Sequence, residues 1–137
     1  MTPTERTPES YAIWLAESPR EVDAWVAEVV MGWKLTPVDA LPSHDEWIDS
    51  TGRSRGKTWY FNPTTDANAA DLVRERVAML ERDFQVSWVY RVAVLSMQSG
   101  MMVDAMIHAR PPHYVGAAWL LGDEVWRELR ERGTITP

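Results

Sequence analysis

The chain has 137 residues, room for one compact domain and too few for two. Hydrophobic residues at 45% and charged residues at 25% match ordinary globular protein, which excludes a disordered chain, a coiled coil and a membrane protein. A net charge of −6 excludes a generic surface for duplex nucleic acid, and the absence of cysteine excludes disulfides, thiol catalysis and Cys-ligated zinc.

The first residues carry no basic stretch leading into an apolar one, so no secretory signal is read there, and a cytoplasmic protein is expected. Residues 1–7 read as loosely attached. Thr7-Pro8-Glu9-Ser10 opens a short helix, with Thr7 as cap and Pro8 at the first helical position. Tyr11 and Trp14 lie on its apolar stripe and offer a homo-oligomer contact. Residues 1–18 are thus an N-terminal extension, 19–133 a single domain and 134–137 a tail. Ser18-Pro19-Arg20-Glu21 has the form of a capping box. Val22, Trp25, Val26, Val29 and Val30 follow at helical spacing, and Gly32 closes the helix.

Residues 34–57 read as largely irregular, with a turn at Asp49-Ser50-Thr51-Gly52 and a short strand over Lys57–Phe61. A helix over about 67–81 buries Ala69, Leu72, Val73, Val77 and Leu80, leaving Arg74, Arg76 and Arg82 on the wet side. Phe84, Val86, Trp88 and Tyr90 alternate with polar residues, which predicts a strand. A second strand is expected over 92–97, a hairpin turn at Gln98-Ser99-Gly100 and a third strand over 101–109. A last helix follows Pro111-Pro112, kinked or divided at Gly122-Asp123. The order predicts an α+β fold: a small α-β-α sandwich, an antiparallel sheet of three to four strands with helices on both faces.

Two stretches carry a family resemblance. Val29-Val30-Met31-Gly32-Trp33 and Phe61-Asn62-Pro63-Thr64-Thr65-Asp66, the latter followed by Ala69-Ala70, resemble the signature segments of the phage ABA-sandwich family. There a Met-Gly-Trp motif closes the first helix and an aromatic-Ser-Pro-Ser/Thr-Thr-Asp turn opens the second. Ala109-Arg110-Pro111-Pro112 and Ala117-Ala118 stand where that family has a Thr-Ala-Pro turn and an Ala-rich helix. The resemblance spans roughly residues 20–122. The chain departs from it in lacking the cysteine of the last helix and in the tight join between its first two strands. It implies the sandwich and a phage or prophage origin, and it carries over no catalytic residue.

Candidate binding residues cluster in three places. Trp33, Trp47 and Trp59 lie in or beside the irregular region, where flat rings serve a base or a partner protein unless they simply cover the sheet. Arg53 and Arg55, with Lys57, form the one basic cluster on an acidic chain, directly before Trp59 and Tyr60. That is either a solvated hairpin tip or a flap that grips phosphates. Asn62, Thr64 and Thr65 read first as a turn and helix cap, and second as contacts for a ribose or base edge. Arg110, His113 and Tyr114 stand at a helix N-terminus as anion contacts. His44-Asp45-Glu46 and the pair His108 and His113 lack metal-ligand spacing, so no metal or other cofactor is expected. No hydrolase, protease or phosphate-loop motif occurs, and the lone Asp104 nominates no general base.

The sequence therefore points to a non-enzymatic protein that binds and sequesters a nucleotide-like small molecule, a sponge for a nucleotide immune signal in a phage-infected host cytoplasm. The alternative is a module that binds a host or phage protein and inhibits or adapts it.

Overall fold

The computed structural model describes residues 2–97 and 109–132, without the side chains of Ser43 and Trp59. The turn expected at 98–100, the third expected strand up to residue 108 and the stretch 133–137 lie outside the described residues. Helix α1 spans Pro8–Glu17 and opens on a reciprocal cap. The Thr7 hydroxyl accepts from the Ser10 amide at 3.0 Å, and the Ser10 hydroxyl accepts from the Thr7 amide at 2.9 Å. Tyr11 and Trp14 turn inward against Trp119, so their rings are engaged in the core of this chain rather than presented on its surface. The residue before the cap is also anchored, contrary to the loose start expected: Arg6 donates to the Trp119 carbonyl and the Asp123 carboxylate, each at 2.7 Å.

Helix α2 spans Pro19–Trp25, and Ser18 makes no side-chain cap, so the expected capping box is not formed. The helix then widens into a π turn over Val26–Val30. Gly32, at φ 74°, reverses the chain there, and the Trp33 amide donates back to the Ala27 carbonyl at 2.9 Å. Three short antiparallel strands follow in the order β1 (Lys34–Thr36), β2 (Glu46–Ile48), β3 (Ser54–Lys57), with Leu35 opposite Trp47. The sheet thus lies in the region read as irregular. The strand expected over 57–61 is displaced, because Lys57 ends β3 and residues 58–60 form a 3₁₀ turn.

Helix α3 spans Ala67–Val77 and is capped by Asp66, whose carboxylate accepts from the Asn68 amide at 3.0 Å; neither Thr64 nor Thr65 is the cap. Helix α4, Arg82–Ser96, replaces both strands expected over 84–97. Its inward residues Trp88, Val92, Ala93 and Ser96 follow helical spacing, while Val86, Val89 and Tyr90 face outward. The alternation of aromatic and β-branched residues expressed composition, and the packing partner decided the outcome. That partner is α5, Pro111–Leu121, whose Tyr114 ring stacks on Trp88 with centroids 5.6 Å apart. Gly122, at φ 99°, divides α5 from α6, Asp123–Glu131.

The fold of the described residues is α+β, with six α-helices and one three-stranded antiparallel sheet. Its core draws on both ends of the described chain, from Tyr11 and Trp14 to Trp126 and Leu129. No helix among the described residues is long and apolar enough to cross a membrane.

Candidate functional site

Two clefts share one lining residue, Phe61. The larger, of about 420 Å³, opens between the π turn, β3 and α3, and is lined by Met31, Trp33, Arg55, Phe61, Leu72, Glu75, Arg76 and Met79. Its floor is aromatic: Trp33 and Phe61 meet with centroids 4.8 Å apart at 59°. Its rim is basic. The Arg55 guanidinium carbon stands 5.8 Å from the Trp33 ring centroid, within cation–π range.

Arg55 is held there by Asp49, which accepts from its Nε at 2.9 Å. Asp49 is itself fixed by the turn that follows β2. It accepts from the Thr51 hydroxyl at 2.5 Å and from the Thr51 and Arg53 amides, each at 3.0 Å. Its side chain is only 1% exposed. These donors, the Thr51 hydroxyl foremost, hold the Asp49 carboxyl down to about 2 against the opposing effect of burial. The carboxylate is therefore a permanent anchor at neutral pH, and it leaves the terminal nitrogens of Arg55 unbonded among the described residues.

Arg76 completes the basic side. It sits on α3 with 7% of its surface exposed. Burial lowers its affinity for the proton first, and repulsion from Arg55 adds to that, with Glu75 opposing. Arg130 reaches the same neighbourhood from α6, packs over Gly32 and donates to the Val29 carbonyl.

The smaller cleft, of about 160 Å³, lies across Phe61. Arg20, Asp23, Ala24 and Glu28 share one face of α2 and its π turn, opposite Trp47 and Asn62. Asp23 is 8% exposed and accepts from the Thr64 amide at 2.9 Å. Burial raises its carboxyl, with the Thr64 contacts opposing.

The structure separates the candidate residues accordingly. Trp33 and Arg55 meet in the larger cleft, while Trp47 and Asn62 meet in the smaller. Thr64 is buried as the tie to Asp23, whereas Thr65 is exposed. Arg53 and Tyr60 are exposed and line neither cleft; Trp59 occupies the same 3₁₀ turn as Tyr60, and its side chain lies outside the description. Arg110, His113 and Tyr114 stand elsewhere. His113 Nδ1 accepts from the Arg110 amide at 2.8 Å, and Tyr114 stacks on Trp88, so these residues serve the helix start and the core.

Among the described residues no group of three or more His, Asp or Glu side chains is placed to hold a metal ion. Arg76 and Asp23 were missed from the sequence. Arg76 had a legible signal, since it falls on the stripe Ala69, Val73, Arg76, Leu80, a position where solvent is not expected. Comparison of the chain with family models, with curated proteins and with solved structures finds no match.

Proposed function

We propose that this chain binds and holds a nucleotide-like small molecule in the Trp33 cleft and releases it chemically unchanged. The observation that carries this reading is Arg55, pinned by Asp49 with its guanidinium over the Trp33 ring. An arginine fixed beside aromatic walls in an otherwise acidic chain offers a ligand both stacking surface and charge. The setting comes from the resemblance to the phage ABA-sandwich family: a sandwich domain of phage origin acting in the host cytoplasm, where a sponge for a nucleotide immune signal has a use. Its support is local. Residues 29–33 close the first long helical segment and residues 61–66 lead into α3.

The test is thermal shift against cyclic dinucleotides, ADP-ribose derivatives and mononucleotides, with each bound ligand recovered by denaturation and weighed by mass spectrometry. One class is expected to stabilise the protein and return intact. Arg55→Ala is expected to weaken that class about 10- to 100-fold while leaving the circular dichroism unchanged. An altered ligand would mean catalysis. No shift across the panel would sink the reading and favour a protein partner, for which the exposed Leu35, Val38, Leu41 and Tyr60 on neighbouring strands and turns are the contact surface.

A further inference from the structure

We infer that Arg76 is the oxyanion contact of the Trp33 cleft, so that the ligand enters with a phosphoryl group directed at Arg76 and Arg55 together. This rests on the nucleotide-like reading of the cleft and adds which part of the ligand goes where. Arginine is almost never this deeply buried without a partner, because removing a guanidinium from water is costly unless hydrogen bonds replace the lost hydration. Yet Arg76, 7% exposed, makes no hydrogen bond or ion pair among the described residues, and its guanidinium nitrogens are not sealed from solvent but belong to a residue that lines the cleft. Glu75 lines the same cleft and does not pair with it.

Nearby charges make the omission more telling. Arg55 and Arg130 both repel Arg76, and Glu75 offsets part of that repulsion without pairing with it. Asp49 is spent on Arg55 and the turn, and Arg130 is engaged by the Val29 carbonyl. The cleft thus holds the full donor fork of Arg76 and the two terminal nitrogens of Arg55. A carboxylate can accept from both arginines, but its single charge offsets only one of them. Two guanidinium groups on one cleft match a group with about two negative charges and three acceptor oxygens, which is a terminal phosphoryl group.

The test is calorimetric titration of the full chain with AMP, adenosine and inorganic pyrophosphate, using wild type, Arg76→Met and Arg76→Lys, extended to whichever nucleotide class gives the largest thermal shift. Wild type is expected to bind the phosphorylated form more tightly than its nucleoside by on the order of 10- to 100-fold. Arg76→Met is expected to erase that difference, and Arg76→Lys to retain part of it. Because Met keeps the volume and removes an unpaired buried charge, Arg76→Met is also expected to unfold at a higher temperature than wild type without ligand.

Phosphorylated ligand bound equally by wild type and Arg76→Met would overturn the assignment and leave the nucleotide reading intact. Pyrophosphate bound as tightly as any nucleotide, through Arg76, would keep the assignment and sink the nucleotide reading. Absence of binding by every phosphorylated probe would overturn both. Should Arg76→Met fail to fold, Arg76→Lys decides: affinity equal to wild type for nucleotide and nucleoside alike would overturn the assignment.

Discussion

A histidine nitrogen that accepts a hydrogen bond must be free of its proton. His113 Nδ1 accepts from the Arg110 amide at 2.8 Å, so the neutral ring is the one that starts α5. Burial, with Arg110 adding, lowers the affinity of His113 for a proton. The unfolded chain therefore binds the proton more readily, and stability rises with pH across that window. This contribution is fully present above the ordinary histidine value of about 6.5 and is lost as pH falls below it. Thermal unfolding followed from pH 7.5 to pH 5.5 is expected to show a declining midpoint. His113→Asn, whose amide oxygen still accepts from Arg110, is expected to flatten that decline; an unchanged slope would discount the histidine. Asp49 acts in a separate window, since its stabilising effect is lost only as pH falls from about 4 toward about 2. At this scale the sequence was legible where one residue has one local task. Gly32 as a helix stop, Thr7 as a cap and the turn at Asp49 all needed only nearest neighbours. The burial of Arg76 was legible from its place on the α3 stripe, but its lack of a partner was not, because no local pattern reports what is absent from around a residue.

Among the elements, α4 shows where local pattern yields to packing. Phe84, Val86, Trp88 and Tyr90 satisfy a strand's period of two, yet Trp88, Val92, Ala93 and Ser96 satisfy a helix, and α5 offers a surface for the second set only. The sheet was hidden for the opposite reason. Its strands are three or four residues long, and β1 is exposed along its whole length, so no alternation marks them. The α5 surface is smoothest at Gly116. A Cβ placed there would lie 2.4 Å from Tyr11 Cε2 and 2.7 Å from Leu95 Cδ1. Tyr11 cannot retreat easily, because its hydroxyl donates to the Pro112 carbonyl at 2.6 Å. Gly116→Ala is therefore expected to destabilise the protein by about 1–3 kcal/mol, despite the better helix propensity of alanine. Urea denaturation would measure this, and a neutral or stabilising result would show that α1 and α5 are not in close contact.

In the whole molecule, the N-terminal helix is part of the core. Tyr11 and Trp14 cover Trp119, and Arg6 ties the joint between α5 and α6. A chain lacking residues 2–18 is thus expected to lose its cooperative thermal transition, with tryptophan emission shifted to the red; native-like melting would instead make the N-terminus a true appendage. The tryptophans follow the same logic, since Trp14, Trp25, Trp33, Trp47, Trp88, Trp119 and Trp126 are all buried. The surplus of tryptophan visible in composition is chiefly structural among the described side chains, and of these Trp33 and Trp47 line the two clefts. The two clefts have Phe61 in common as a lining residue. A side chain common to two chambers cannot shift toward one without enlarging the other. A ligand that displaced Phe61 from the arginine side would alter the room beside Asp23, and linkage would make that influence mutual. The two chambers would then be thermodynamic neighbours, the affinity of each set in part by the contents of the other.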